Sequence, residues 1–333
     1  MMKNYHVYTT KELNILFLTD YKQAFIISKE EKEIMEQIPD NKEILDKYIS
    51  KVNIQDCKEE KEGEDKVWGL YLCIANTCNA MCTYCFAHQG DYGKQKGLMK
   101  QETAFLAIDF FMEKVPEDCN ASFIFFGGEP LMAYDIIKQS CEYIKEKYQS
   151  RKKSFHITTN GTLLTEEIIN YFSDNNFTIG LSIDGDKETH NKQRPLVNGK
   201  DSFYEATKKL PYLLSKVNRV VARGTYFDFN IDLCKCYEEL INLGFREVDI
   251  VPDILDIKDM DDMNRLLNQL DRLHEYMLEY TNNHDDFPFG LFITQMRKLF
   301  IPKIKIGYSC GLGEIIYSID IKGNIYPCHR HSS

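Results

Sequence analysis

The sequence contains no apolar run approaching the ~20 residues that a membrane-spanning helix needs. Its N-terminus lacks the basic, apolar and small-residue succession of a secretory signal. Neither a membrane-embedded nor an exported protein is expected, and the cytoplasm is the expected location. Positive charge is also in short supply: 41 Lys and Arg face 51 Asp and Glu, for a net charge of −10. That is the wrong sign for a surface that must gather phosphates, so no nucleic-acid partner is expected. No internal repeat and no long low-complexity tract is visible, which sets aside repeat arrays and extended linkers.

What is present is ordinary for a globular chain of 333 residues, with 43% hydrophobic and 28% charged side chains. That length suits one large domain with one or two small attachments. The 11 cysteines, in a reducing compartment, read as metal ligands and buried thiols rather than disulfides. The clearest internal break is the charged stretch at residues 56–66, DCKEEKEGEDK, which reads as a solvated linker. Before it, residues 5–9, 13–19 and 23–28 have strand patterns, and residues 29–37 and 41–51 have helical ones. A small α+β module over residues 1–64 is therefore expected.

From residue 67 onward, short apolar strand patterns alternate with longer helical ones. Strands are expected at 68–74, 122–126, 155–159, 178–183, 219–225 and 247–251. Helices are expected at 101–114, 133–149, 165–174, 202–215, 231–243 and 259–280. Six such units imply an α/β fold with a parallel sheet and right-handed crossovers. Six is short of the eight that close a TIM barrel, so residues 65–290 read as a partial (β/α)6 barrel. The open side of such a barrel suits a large substrate.

The chemistry-bearing residues cluster where these strands end. The first strand runs into Cys78-Asn-Ala-Met-Cys82-Thr-Tyr-Cys85. This C-x3-C-x2-C spacing offers three thiolates to a four-iron cluster and leaves the fourth iron without a protein ligand. Clusters that only carry electrons are normally held by four cysteines. An open coordination position is what separates catalytic from structural metal sites. A Cys3His zinc site completed by His88 is the alternative. The next strands end in Gly127-Gly128-Glu129-Pro130, Thr158-Thr159-Asn160-Gly161-Thr162, Ser182-Ile183-Asp184-Gly185 and Arg223-Gly224-Thr225. A zinc finger has no use for such a series.

Cysteine loop, GGEP, TNGT and SIDG, in this order over residues 67–252, resemble the radical S-adenosylmethionine (radical SAM) enzymes. The resemblance implies a 4Fe-4S cluster on Cys78, Cys82 and Cys85, with S-adenosylmethionine chelated at the open iron. It also implies an electron supplied by a partner such as flavodoxin or ferredoxin. Gly127 and Gly128 would let backbone approach the cofactor closely, and Glu129 could accept from its methionyl ammonium. Asn160, Ser182 and Asp184 suit ribose hydroxyls or the carboxylate. Arg194 or Arg223 would pair with that carboxylate, and Tyr84 would border the adenine. The segment from Phe86 to Gly93, and His190, Arg194 and Pro195 after SIDG, look like the branch that matures ribosomally made peptides. Anaerobic sulfatase maturases share much of it.

Cys310, Gly323 and Cys328 resemble the opening of a SPASM or twitch extension, expected over residues 291–333, with an auxiliary 4Fe-4S cluster. The later cysteines of that extension are absent, and a truncated chain is the expected reason. Residues 316–321 and 324–326 read as a hairpin turning at Lys322-Gly323. The implied activity is an oxidative, thioether-forming modification of a Cys-rich precursor peptide, with formylglycine formation as the alternative and a non-catalytic peptide-binding or zinc-binding protein as a third. Small modules like residues 1–64 bind peptide leaders by strand addition in such systems. Asp253, after the sixth strand, is the candidate general base.

Overall fold

A computed structural model describes residues 5–9, 13–19, 21, 23–52, 67–293 and 315–331. The linker at 56–66 and Cys310 lie outside the described residues. The chain divides into two compact units, Met1–Glu64 with Phe292–Gly307, and Asp65–Leu291 with Tyr308–Ser333.

In the first unit, β1 (Tyr5–Thr9), β2 (Asn14–Leu18) and β3 (Gln23–Ile27) form an antiparallel sheet in that order. Helices α1 (Lys29–Gln37) and α2 (Lys42–Ile49) follow. Helix α1 starts at a reciprocal cap: the Ser28 hydroxyl accepts from Glu31 N at 3.1 Å, and Ser28 N donates to the Glu31 carboxylate at 2.8 Å. Alternation along β2 sends Leu16 and Leu18 inward, where they meet Tyr5, Ile27, Met35, Ile44 and Tyr48 in a core of their own.

The second unit alternates strand and helix: β4 (Val67–Ala75), α3 (Gln101–Lys114), β5 (Asn120–Gly127), α4 (Tyr134–Lys147), β6 (Lys153–Thr159), α5 (Glu166–Asp174) and β7 (Thr178–Ser182). It continues through α6 (Lys187–Gln193), α7 (Ser202–Thr207), α8 (Leu210–Lys216), β8 (Arg219–Tyr226), α9 (Leu233–Asn242), β9 (Val248–Pro252) and α10 (Met260–Asn283). Strands β4 to β9 pair in sequence order and all in parallel, as expected of the partial barrel.

The side of the sheet that meets the helices is apolar. Leu70, Leu72, Phe123, Phe125, Ile157, Ile179, Leu181 and Ala222 are essentially unexposed. Phe111 of α3 meets Phe123 edge-on at 5.6 Å, and Phe172 of α5 lies 4.5 Å from Phe177. Burying each such side chain stabilises the fold by ~1.5–3 kcal/mol. The opposite face carries Tyr71, Phe126, His156, Thr158, Ser182 and Asp249, all partly accessible, and the exposed Arg223. One face holds the barrel together and the other lines its open interior.

Three features depart from the sequence expectation. The helix expected over 202–215 is two helices, because Pro211 lies in the first turn of α8, where a residue without an N–H is tolerated and mid-helix is not. Helix α6 was not expected; Asp186 caps it by accepting from Thr189 N at 2.8 Å. The C-terminal hairpin forms as β10 (Ile316–Ile319) and β11 (Ile325–Tyr326), turning at Gly323 with φ of 87°. The Asp320 carboxylate holds that turn by accepting from Lys322 N at 2.9 Å and Asn324 N at 3.0 Å. Rather than standing apart, β10 pairs in parallel with β4, so one sheet runs β11-β10-β4-β5-β6-β7-β8-β9.

Candidate active site

The cysteine loop leaves β4 and is pinned from both sides. On one side it runs as an extra strand along the segment after α6: Met81 N donates to Pro195 O at 2.8 Å, Thr83 N to Gln193 O at 2.9 Å and Val197 N to Asn79 O at 3.0 Å. On the other it abuts the glycine turn after β5, where Gly128 N donates to Ala75 O at 2.7 Å and Glu129 N to Thr77 O at 2.9 Å. No other residue fits this turn. A Cβ on Gly128 would lie 2.2 Å from Thr77 O, and one on Gly127, at φ +141°, 2.4 Å from Ala75 O.

Cys78, Cys82 and Cys85 are unpaired and partly accessible. Burial, with the nearby Glu129 charge as the next cause, pushes the Cys78 thiol up to about 12, and burial likewise raises Cys82. Thiols held neutral in this way ionise when a metal replaces their protons. Among the described residues, no three or more His, Cys, Asp or Glu side chains are grouped so as to hold a metal ion, so the Cys3His zinc arrangement with His88 is not formed. A four-iron cluster spreads its thiolates over the corners of a cube and needs no such convergence on one point. The donor set, three thiols in one braced loop, fits that group.

Around Cys78, Glu129 is fully buried and accepts from Leu131 N at 3.0 Å, Thr159 Oγ1 at 2.7 Å and Asn160 N at 2.8 Å. All three donors are neutral, and burial pushes its carboxyl up to about 7. Asn160 is fixed in turn, its Nδ2 donating to Asn79 Oδ1 at 2.8 Å and reaching within 4.0 Å of Cys78 Sγ.

Around Cys82, Asp184 is 3% exposed and receives a fork from Arg194, with Nε to Oδ2 at 2.8 Å and Nη2 to Oδ1 at 2.9 Å. Thr225 N adds a bond to Oδ1 at 3.1 Å, and the Tyr84 hydroxyl donates to Oδ2. Four donors thus occupy the Asp184 oxygens. His190 accepts from Asp184 N at 3.4 Å, and burial, with Arg194 next, lowers its pKa to about 4, leaving a neutral ring.

The remaining residues singled out from sequence lie further apart. Ser182 and Arg223 are on the interior face of the sheet, and the Arg223 guanidinium is 3.5 Å from Asp249. Asp253 caps a short turn by accepting from Leu255 N at 3.2 Å, and it lines a cavity of about 370 Å³ with Thr83, Tyr84, Phe227, Leu255 and Asp256. Cys328 ends the hairpin segment, its Sγ 3.8 Å from Nδ1 of His329. His329 stacks on Tyr71 at 4.4 Å and lies 4.7 Å from Phe126, on the interior face. Asn79, Asp249 and Phe227 are site residues that the sequence did not single out. Asn79 alone carried a signal, lying between two cluster cysteines.

Fold and site together describe a β/α half-barrel with a loop of three free cysteines just beyond the end of its first strand. Residues 72–232 match the family model of the Radical SAM superfamily. These residues carry a radical SAM domain, a type of domain that binds a 4Fe-4S cluster and S-adenosylmethionine. It is 29% identical over 278 residues to a cysteine-type anaerobic sulfatase-maturating enzyme of Clostridium novyi, covering 76% of this chain and 71% of that one. It is 28% identical over 236 residues to the radical SAM cyclopropyl synthase TigE of Paramaledivibacter caminithermalis, covering 66% of this chain and 48% of that one. Its fold matches the structure of native anSMEcpe with bound AdoMet and Kp18Cys peptide, with a TM-score of 0.69 and 23% identity over 80% of this chain and 76% of that one. No helix among the described residues is long and apolar enough to cross a membrane.

Proposed function

We propose that this protein is a peptide maturase that oxidatively modifies a cysteine-bearing segment, with a thioether crosslink as the product. The observation that carries the reading is the trio of unpaired thiols, Cys78, Cys82 and Cys85, in a loop braced by the Gly127-Gly128 turn. Cys78, Cys82 and Cys85 would hold a 4Fe-4S cluster, which would supply one-electron reduction of S-adenosylmethionine as the start of substrate oxidation.

The chain's own residues bind and orient. Backbone at Gly127 and Gly128, with no side chain in the way, receives the methionyl group. Arg194 spends Nε and one Nη2 hydrogen on Asp184 and keeps further N–H donors for the methionyl carboxylate. Tyr84 and Phe227, 5.0 Å apart, form an apolar wall suited to adenine. Because four donors already fill Asp184, and Thr162 occupies the Asn160 amide oxygen through its N–H at 3.0 Å and its hydroxyl at 2.7 Å, Ser182 is the better partner for the ribose. Cys310 and Cys328 would contribute to an auxiliary cluster, and flavodoxin or ferredoxin would deliver the electron.

The small first unit supports recognition of a precursor peptide, since it has its own core and a three-stranded sheet of the kind that accepts an added strand. A second reading, oxidation of a cysteine to formylglycine, is favoured by the likeness to the cysteine-type sulfatase maturase over three quarters of this chain. Co-expression with candidate peptides followed by mass spectrometry separates them. Loss of two hydrogens per crosslink without loss of sulfur supports the thioether, replacement of the thiol by an aldehyde supports formylglycine, and unmodified peptides beside active cofactor cleavage would overturn both.

A further inference from the structure

The turn that follows Cys85 is pressed against the cysteine loop. His88 N donates to Cys85 O at 3.3 Å, and Gly90 N and Tyr92 N both donate to Ala87 O at 2.8 Å. Gly90, at φ 94°, is the point of closest approach: a Cβ there would lie 2.6 Å from Cys78 Cβ and 2.8 Å from Gly128 Cα. Beyond the turn the chain runs back along the end of β4, with Asn76 N donating to Gly97 O at 2.9 Å and Met99 N to Ile74 O at 2.8 Å.

Four residues after Gly90, Lys94 joins this turn to the C-terminal hairpin. Its Nζ donates to the Tyr326 hydroxyl at 3.0 Å and lies 4.8 Å from the centre of the Tyr326 ring. The Tyr326 hydroxyl donates onward to the Asp320 carboxylate at 3.2 Å, and Lys94 Nζ is itself 3.8 Å from that carboxylate. Asp320 is 3% exposed, and a carboxylate so buried is stable only beside a cation and donors. Two further contacts repeat the link. The Arg330 guanidinium lies 5.0 Å over the ring of Phe86, the residue after Cys85, and the Cys73 thiol is 3.4 Å from the Ser318 hydroxyl. Backbone pairing with β4 already holds β10 in the sheet, so these side chains serve the turn rather than the strand.

We infer that Lys94 is a positioning residue: it latches the hairpin to the turn behind the cysteine loop, so that hairpin docking and metal retention by the loop reinforce each other. Such coupling is reciprocal. The docked hairpin keeps the turn against Cys78, and a cluster held by Cys78, Cys82 and Cys85 keeps the hairpin docked. The inference rests on the assignment of the cluster to those three residues.

The test uses the full chain reconstituted anaerobically with iron and sulfide, carrying Cys328→Ser throughout so that iron at the hairpin does not enter the signal. Release of iron to a ferrous chelator is followed by absorbance. Lys94→Met should release iron about fivefold faster, as expected for the loss of a cation–π contact and a charge-assisted hydrogen bond. Tyr326→Phe keeps the ring and should fall between, and adding it to Lys94→Met should change little further. Lys94→Arg should restore the parent rate, since a guanidinium can reach the same ring and carboxylate. Loading should slow hydrogen exchange at residues 316–326 in the parent and less so in Lys94→Met. Release at the parent rate in Lys94→Met, or equal acceleration in Lys94→Met and Lys94→Arg, would overturn the inference. If Lys94→Met does not load, Tyr326→Phe and Lys94→Arg decide the matter by the same rates. Full iron content in Cys82→Ala would instead strike at the cluster assignment.

Discussion

Glu129 and Asp184 are both buried carboxylates just beyond the ends of barrel strands, both beside a cysteine of the loop, and their surroundings differ in one respect. Glu129 meets only uncharged donors, two backbone N–H groups and a threonine hydroxyl. Asp184 meets a guanidinium fork as well as an N–H and a phenol. The first therefore bears its desolvation alone and titrates near neutrality. The second is locked in an ion pair whose members cannot leave singly. A strut that can change charge stands on the Cys78 side, and a fixed pair stands on the Cys82 side.

That contrast can be broken at four points. Cys82→Ala removes the thiol beside the ion pair, and 5′-deoxyadenosine formation under reducing conditions should fall to background by chromatography. Arg194→Ala strands the Asp184 charge and should cost about 3–5 kcal/mol in anaerobic urea unfolding. Arg194→Lys should recover only part of this, since an ammonium cannot reproduce the fork.

Glu129 should show itself through pH. Its folded-state pKa, about 7, lies above the ordinary 4.5, so the native protein binds the proton more tightly than the unfolded chain. The resulting stabilisation is complete below pH 4.5 and is lost as pH rises through about 7, a change of roughly 3 kcal/mol. Glu129→Gln should flatten that slope, and a slope that survives would refute the assignment. The smallest effect belongs to the first unit. Ser28→Ala removes half of the cap on α1, should cost ~1 kcal/mol and should leave cofactor cleavage unchanged.

Much of this fold was legible because periodicity reports burial. Helix α3 lies where the pattern places it, and β4 to β9 fall within two residues of expectation. Pairings distant in sequence were not legible. Nothing local to Ile316–Ile319 says that its neighbour will be a strand some 250 residues earlier. The three cysteines were readable from spacing alone, but the partners of charged groups were not. Asp184 and Arg194 were each expected near a ligand, and their pairing with each other was not foreseen. Ten residues separate them across a helix whose cap was overlooked, and a sequence cannot say whether an acid and a base meet or merely share a cavity. Arg223 and Asp249 repeat the lesson on adjacent strands.

Because β10 lies alongside β4, the strand that feeds the cysteine loop stays open along one edge until synthesis has passed residue 319, some 250 residues later. The cysteine loop has that interval in which it is not yet crowded from this side. Completion of the sheet then brings His329 onto Tyr71, so the order of synthesis sets when the interior face at Tyr71 is covered.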